Sequence, residues 1–333
     1  MKEALYYKKK KNKLQCVLCP KNCIISDNGV GFCGVRKNIK NKIYSLVYNK
    51  PVSIAVDPIE KKPLYHFLPS SVSLSIGTVG CNLTCKHCQN WEIARALPGI
   101  LPEYGISPKE LVEKAIENNC KSISYTYNEP TVFYEYVLDT AKLARKKGIK
   151  NIIVSNGFIN EEPLKGWCKY IDAANIDLKG SDRFYRDITT AWLKPVQDTL
   201  KILKEKKVWL EITNLIIPTL NDKPKEIENM CKWIKDNLGI DVPLHLSAFH
   251  PCYKLNHLPK TSPKTLFKAR SIAKKAGLTH VYIGNVHSDK ENNTYCPKCN
   301  KLLIKREWFE VRQNKIVENK CSCGKEIAGV WIN

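Results

Sequence analysis

The segment Cys81-Asn82-Leu83-Thr84-Cys85-Lys86-His87-Cys88 places three cysteines on one short loop, with the spacing C-x3-C-x2-C. A cubane iron–sulfur cluster normally takes four cysteine ligands. Held by three, the cluster keeps one iron with open coordination positions, where a small molecule can bind. Structural zinc would need a fourth ligand, and His87 lies inside the loop, in an awkward place for a tetrahedral site. The spacing therefore predicts a reactive [4Fe-4S] cluster on Cys81, Cys85 and Cys88.

The sequence around this loop predicts an α/β fold. β-branched runs predict strands at 72–79, 122–127, 151–155, 173–178, 208–217, 244–249 and 280–283. Between them, helices are predicted at 108–118, 132–147, 224–238 and 263–276, with Ser107 and Ser262 as N-caps before prolines. Alternation of this kind indicates a parallel sheet with right-handed crossovers, whose functional loops follow the carboxyl ends of the strands.

The length of 333 residues suits one large catalytic domain with small appendages, and 43% hydrophobic residues suffice for a sizeable core. No apolar stretch reaches the length that spans a membrane, and the lysine-rich start lacks the apolar region of a secretory signal. We therefore expect a cytoplasmic protein, with no membrane partner, whose clustered cysteines are reduced metal ligands and not disulfides.

The net charge of +22 raises the alternative of a nucleic-acid partner. However, lysine is spread along the whole chain, arginine is scarce and no strip of arginine and aromatic residues stands out. A nucleic-acid partner is therefore allowed by the charge but is not favoured by its distribution.

The N-terminal segment 1–70 contains a second cysteine cluster, and its latter part is a proline-interrupted bridge. Glycines at 29, 31 and 34 let the backbone fold tightly around a metal. Zinc and a second iron–sulfur cluster both fit the ligand count. The cysteines are Cys16, Cys19, Cys23 and Cys33. The bridge at 44–70 is interpreted as extended chain, which either lines a substrate entrance or forms a strand edge and linker on the main domain.

The tail 291–333 holds a third cluster, formed by two short cysteine motifs that strand-like residues separate. Such a module is too small to fold without metal, and zinc is the expected ion, with rubredoxin-like iron as the alternative. The second motif is Cys-x-Cys where Cys-x2-Cys is usual, which departs slightly from the common zinc pattern. The ligands would be Cys296, Cys299, Cys321 and Cys323.

The segment Gly80–Asn90 resembles the cluster loop of radical S-adenosylmethionine (SAM) enzymes, and is closest to the group of the pyruvate formate-lyase activating enzyme. The resemblance implies a partial (β/α)6-type barrel over residues 71–290. It also implies that the open iron chelates the amino and carboxylate groups of SAM. One electron then splits the sulfonium into methionine and a 5′-deoxyadenosyl radical, which abstracts hydrogen from a substrate. The cofactor carries this chemistry, and the protein binds and orients it.

Motifs over almost the whole chain are similar to the radical SAM component of the AmmeMemoRadiSam system. They include C-x2-C-P-x2-C at the start, D-P-I-E-K-K-P-L-Y-H-F in the bridge and N-T-Y-C-P-K-C near the end. This resemblance implies companion proteins of that system and a reductant such as ferredoxin or flavodoxin. The substrate is then expected to be a protein, a peptide or a small molecule.

The resemblance also assigns SAM-binding positions by motif. Tyr127-Asn128-Glu129-Pro130 stands where radical SAM enzymes often have Gly-Gly-Glu, so Glu129 would hold the SAM amino group. Val154 replaces an aspartate that helps to bind a monovalent cation in the activating enzymes, which leaves that cation site in doubt. His87 would contact adenine, and His250 the ribose or carboxylate. The complete expected set is His87, Asn128, Glu129, Ser155, Asn156, Asp177, Lys179 and His250.

Two other functions remain open at the level of sequence. One is a radical SAM enzyme that modifies tRNA, which the positive charge would suit. The other is a non-catalytic zinc-ribbon protein that binds nucleic acid, which would leave the three-cysteine loop and Glu129 unexplained. Four isolated cysteines are interpreted as buried apolar residues, with Cys252 the best of them for a later catalytic step; they are Cys120, Cys168, Cys231 and Cys252.

Overall fold

The N-terminal residues form two small antiparallel sheets in the computed structural model, which describes residues 1–288 and 290–331. In the hairpin between β5 and β6, Lys40 and Asn41 both have positive φ, as a two-residue type I′ turn requires. One sheet has the order β1-β6-β5 and the other β2-β3-β4. The strands are β1 Lys2–Glu3, β2 Tyr7–Lys10, β3 Lys13–Cys16, β4 Ile24–Ile25, β5 Arg36–Ile39 and β6 Lys42–Ser45.

An eight-stranded sheet forms the centre of the chain, and its strands follow one another in sequence order from one edge to the other. The last seven are parallel, and the first pairs antiparallel with the second. All seven strands predicted from sequence are present, and the α/β prediction is confirmed. The strands are β7 Ser53–Pro58, β8 Val72–Gly77, β9 Ser122–Tyr125, β10 Lys150–Ser155, β11 Ala173–Asp177, β12 Trp209–Ile216, β13 Leu244–Ala248 and β14 Val281–Gly284.

Helices connect the parallel strands. Ser107 accepts from the Glu110 amide in a capping box, and Ser262 accepts from the Thr265 amide, so both predicted caps are present. Among the described residues, no helix combines the length and apolar character needed to cross a membrane. The α-helices are α1 Trp91–Arg95, α2 Pro108–Glu117, α3 Tyr134–Lys146, α4 Glu161–Cys168, α5 Asp182–Phe184, α6 Leu193–Glu205, α7 Pro224–Leu238 and α8 Pro263–Lys275. Short 3-10 turns lie at Ile59–Lys61, Pro130–Phe133 and Tyr253–Leu255, and a π-helical turn at Tyr185–Thr189.

The bridge contributes a strand to the main sheet. β7 lies within the 1–70 segment, and it pairs with β8 from Ser53 opposite Gly77 to Pro58 opposite Val72. Because β7 is an edge strand, Pro58 can end it without breaking a hydrogen bond to a further neighbour. Residues 53–58 of the bridge therefore form an edge strand, as one of the two interpretations of the bridge expected. Backbone hydrogen bonds of this strand join the N-terminal segment to the barrel.

The N-terminal sheets share one hydrophobic core with the barrel. Leu14 and Ile43 belong to the same buried cluster as Ile123 and Ile153 of the central strands. The Arg36 guanidinium forms an ion pair with Glu135 of α3 at 3.0 Å, and both side chains are only 2% exposed. The Glu135 carboxylate also accepts from the Leu5 amide at 2.8 Å. A buried charge pair between the two units fixes their relative position.

The C-terminal module has a small core of its own. Its three strands are antiparallel, and Leu303, Ile304, Ile327 and Trp331 pack together beneath them. The module returns to the bridge through hydrogen bonds from the Leu68 amide to the Val330 carbonyl and from the Val330 amide to the His66 carbonyl, both 2.7 Å long. The strands are β15 Thr294–Tyr295, β16 Leu302–Glu307 and β17 Glu310–Asn314.

We predict that Glu135→Ala lowers the free energy of unfolding by about 3–5 kcal/mol, because it leaves the Arg36 charge buried without its partner. Urea unfolding followed by tryptophan fluorescence measures the change. Glu113→Ala is the matched control, since Glu113 is exposed and pairs with exposed Lys109 on the same helix. That control should change stability by less than about 0.5 kcal/mol. Equal effects of the two substitutions would contradict a stabilising role for the buried pair.

Candidate active site

The three-cysteine loop lies at the carboxyl end of β8 and is held close to the N-terminal unit. Gly80 has φ +89°, and a Cβ there would lie 2.6 Å from the Val35 side chain and 2.7 Å from the Cys33 carbonyl oxygen. Only glycine fits so close an approach in this backbone conformation. Asn128, which follows β9, donates to the Gly80 carbonyl at 2.8 Å and accepts from the Thr78 amide. The side-chain nitrogen and the side-chain oxygen of Asn128 therefore both hold the loop in place.

The three thiols of the loop are half-buried. The Leu83 amide lies 3.5 Å from the Cys81 sulfur. Burial raises the pKa of all three thiols, that of Cys85 to about 11, although the positive charge of Lys179 opposes the rise at Cys85. At neutral pH the metal-free thiols are therefore protonated, and binding of a cluster must release protons.

Glu129 is a buried acceptor for groups at the ends of two neighbouring strands, β9 and β10. Its side chain is 3% exposed, and burial raises its pKa. One carboxylate oxygen accepts from the Thr131 amide at 3.0 Å, the Thr131 hydroxyl at 2.6 Å and the Ser155 hydroxyl at 2.8 Å. The other accepts from the Asn156 amide at 2.8 Å. A carboxylate oxygen can accept more than one donor, so this second oxygen keeps capacity for a ligand.

Asn156 connects the end of β10 with the cluster loop. Its side-chain amide donates to Asn82 at 2.9 Å and lies 3.9 Å from the Cys81 sulfur, while Asn82 donates to the Phe158 carbonyl at 2.7 Å. Ser155, beside it, donates to Glu129. Asn156 of the motif Ser155-Asn156-Gly157 therefore lies against Cys81, and the contact of this motif with SAM stays a prediction.

A positive charge approaches the thiols from the end of β11. Lys179 donates to Asp177 at 2.7 Å, and its side chain is 13% exposed. Burial alone would lower the pKa of Lys179, but the charges of Asp177 and Cys85 raise it above its ordinary value. Lys179 therefore stays charged beside the cysteines, where an anionic group can bind it.

The two predicted histidines have different surroundings. His87 is 5% exposed, and burial lowers its pKa to about 3, so its ring is neutral. The ring centre lies 5.7 Å from that of Phe184, and Nδ1 is buried without a hydrogen-bond partner among the described residues. His250 is exposed, and its Nε2 lies 3.4 Å from the Asn285 carbonyl oxygen. The buried Nδ1 of His87 could therefore form a hydrogen bond with a polar group of a ligand.

Arg95 and Thr131 belong to the site but were not predicted. Arg95 of α1 donates to the Cys81 carbonyl at 3.3 Å and to the Leu83 carbonyl, and Thr131 donates twice to Glu129. The contacts of Arg95 depend on how the chain folds back, whereas Thr131 donates to Glu129, the N-cap of the short turn Pro130–Phe133, a local signal that could have been found. Cys252 donates to the His87 carbonyl at 3.4 Å, whereas Cys120 and Cys231 are buried in the core. Cys168 is partly buried against that core.

A second cluster of metal-ligating side chains lies in the C-terminal module. The sulfur atoms of Cys296 and Cys323 are 3.6 Å apart, and those of Cys299 and Cys321 are 3.7 Å apart. All four lie within 4.8 Å of one another. A tetrahedral zinc ion with bonds of about 2.3 Å separates its sulfur ligands by about 3.8 Å. The arrangement therefore has the size of a site for a single metal ion.

We predict that Cys323→Ser removes about one metal ion per chain from the full-length protein, because a structural site of this kind needs all four ligands. Elemental analysis of the purified protein measures the loss. Cys231→Ser is the matched control, since Cys231 is buried in the barrel core, and it should leave the metal content unchanged. Equal metal content in the two variants would contradict a metal site on the four C-terminal cysteines.

Comparisons with known proteins agree with this geometry. The sequence model of the Radical SAM superfamily matches residues 75–234. An uncharacterised protein of Methanocaldococcus jannaschii is 46% identical over 331 residues, which cover 98% of this chain and 99% of that protein. The pyruvate formate-lyase-activating enzyme of Clostridium pasteurianum is 25% identical over 193 residues, which cover 53% of this chain and 77% of the enzyme.

The fold comparison gives the same class. A radical SAM methyltransferase from Sphaerobacter thermophilus matches 71% of this chain and 71% of its own, with a TM-score of 0.52 and 13% sequence identity. This likeness concerns the fold alone. Together with the matches in sequence, it shows that the chain belongs to the family of the M. jannaschii protein, within the radical SAM superfamily and with distant homology to activating enzymes.

Proposed function

We propose that the protein is a radical SAM oxidoreductase that reductively cleaves SAM and takes a hydrogen atom from a protein, peptide or small molecule, as activating enzymes do. One observation carries the proposal: three half-buried cysteines on one loop stand beside a buried carboxylate and a buried cation. Cys81, Cys85 and Cys88 would hold a [4Fe-4S] cluster. Bound there, the cluster supplies the open iron site and the electron that cleave the sulfonium of SAM.

The side chains around the loop fit the two charged ends of SAM. Lys179 offers a fixed positive charge to a carboxylate, and the second oxygen of Glu129 can accept from an ammonium group. His87 and Phe184 provide a buried aromatic surface with one unpartnered ring nitrogen, which suits a purine. Asn128, Ser155 and Asn156 act on the loop and on Glu129 and are positioning residues. Asp177 holds Lys179 in place, and exposed His250 would reach SAM from the end of β13.

The C-terminal cysteines suit zinc, which takes tetrahedral thiolate sites of this size; rubredoxin-like iron has the same ligand set. The small separate core of the module supports a structural role for that metal. Among the described residues, no disulfide joins any of the fifteen cysteines, and we place the protein in the reducing cytoplasm, where thiols remain available as metal ligands.

The motif order of the chain supports its assignment to the AmmeMemoRadiSam system, with companion proteins of that system and ferredoxin or flavodoxin as the reductant. Two other functions have less support. A tRNA substrate would have only the +22 charge in its favour, and a non-catalytic nucleic-acid-binding role leaves Lys179 and Glu129 beside the cysteines without a purpose.

We predict that the reconstituted protein forms 5′-deoxyadenosine and methionine from SAM under a strong reductant without oxygen. Replacing Cys81, Cys85 or Cys88 by Ala should reduce the yield to background, because the cluster loses one of its three ligands. Chromatography of the products measures the yield. Cys120→Ala, which changes a buried cysteine of the core, should keep the activity. SAM cleavage by a variant in which Cys81, Cys85 and Cys88 are all replaced would refute the proposal.

We predict that Lys179→Met weakens SAM binding about tenfold to a hundredfold, because it removes a charge-assisted hydrogen bond to the carboxylate. Equilibrium dialysis with labelled SAM and cluster-loaded protein measures the dissociation constant, and iron analysis shows whether the cluster is retained. Lys165→Met, at an exposed lysine of α4, is the control and should bind SAM normally. Unchanged affinity in an iron-replete Lys179→Met protein would exclude this role.

A further inference from the structure

The four N-terminal cysteines line a cavity beside the proposed SAM site. It is enclosed by residues of the loops on both sides of β4, by Arg36 and by residues at the edge of the barrel. All four cysteines line this one cavity, so their sulfur atoms share one neighbourhood. The cysteines that line the cavity are Cys16, Cys19, Cys23 and Cys33.

The spacing of these thiols differs from that of the C-terminal site. Within residues 1–288 and 290–331, only the C-terminal cysteines bring three or more potential metal-ligating atoms all within 4.8 Å of one another. The N-terminal thiols are therefore spread more widely, as are Cys81, Cys85 and Cys88. A single zinc ion draws four sulfur ligands to about 3.8 Å from one another, whereas the ligands of a cubane bind four different irons and stand further apart.

A buried donor points to an anionic group in the cavity. Arg36 is 2% exposed and lines the cavity, and its Nε has no hydrogen-bond partner among the described residues. Its other nitrogen atoms contact Glu135 and the Leu5 carbonyl. The Phe32 amide also lies 3.4 Å from the Cys23 sulfur. A cluster with four thiolates carries net negative charge, and N–H groups directed at its sulfur atoms stabilise it.

The cavity lies directly beside the radical SAM loop. Asn82, the residue after the first cluster cysteine, lines it, as does Thr131, which donates to Glu129. The Cys33 carbonyl is the backbone atom that leaves no room for a side chain at Gly80. Residues next to Cys81 in the sequence therefore contact both the N-terminal cysteines and the cavity that they line.

We propose that Cys16, Cys19, Cys23 and Cys33 hold a second [4Fe-4S] cluster, ligated by cysteine at all four irons, next to the cluster of the radical SAM loop. With no open iron, its chemistry is limited to electron transfer. It accepts one electron from a low-potential donor such as reduced ferredoxin or flavodoxin and passes that electron to the neighbouring cluster. No proton or atom is transferred in this exchange.

The test uses full-length protein in which Cys81, Cys85 and Cys88 are all replaced by Ala, so the N-terminal site stays unaltered. After anaerobic reconstitution with iron, sulfide and zinc, we expect about four irons, about four sulfides and about one zinc per chain. Reduction with dithionite should give the EPR signal of a reduced cubane. Two zinc ions and no iron would overturn the proposal. This variant cannot cleave SAM, so the outcome is independent of the proposed function.

Two further comparisons test the ligands and the proximity. Adding Cys19→Ser to the triple variant should remove the iron and keep the zinc, whereas adding Cys168→Ser, at a partly buried cysteine of α4, should keep both. In the reduced wild-type protein, the two neighbouring paramagnetic clusters should broaden each other's EPR signals, and the triple variant should lack this broadening. Iron that survives Cys19→Ser, or two clusters without magnetic interaction, would contradict the proposal.

Discussion

The buried carboxylate of Glu129 is the interaction on which the site depends. It accepts four hydrogen bonds, which come from the residues after β9 and from the end of β10. Through Asn156 and Asn82, the same network reaches the cysteine loop after β8. Three consecutive loops at one edge of the sheet are therefore positioned by a single buried group. A buried carboxylate without hydrogen-bond donors would destabilise the folded protein. The hydrogen bonds to Glu129 therefore hold each donor in place, in addition to the packing around it.

The three groups of cysteines have different surroundings. In the C-terminal module the four sulfur atoms lie within 4.8 Å of one another, and the small apolar core of the module packs against them. Around the radical SAM loop the thiols are spread out, and Lys179 and Arg95 supply positive charge and hydrogen-bond donors. The N-terminal thiols are also spread out and have Arg36 beside them. The three groups of cysteines therefore differ in the spacing of their sulfur atoms and in the charged groups beside them.

The sequence predicted those parts of the molecule that depend on local patterns. The strands, the serine caps of α2 and α8 and the three-cysteine loop each follow from a short run of residues. Edge strand β7 is harder to predict, because prolines in the bridge interrupt the strand pattern of the six residues that pair with β8. Contacts such as those of Arg95 with the loop, or the approach of Cys33 to Gly80, join distant parts of the chain, and no local pattern reports them.

The order of the strands bears on how the chain folds during synthesis. Each parallel strand pairs with the one made just before it, so every new strand and helix can dock on a sheet edge that has already left the ribosome. The cysteine loop emerges early, but Glu129 and Asn156, which position it, are translated about 40 and 70 residues later. Translation therefore imposes a delay between the exposure of the thiols and the completion of their surroundings. During that interval the nascent protein depends on the reducing conditions of the cell to keep its cysteines available for cluster insertion.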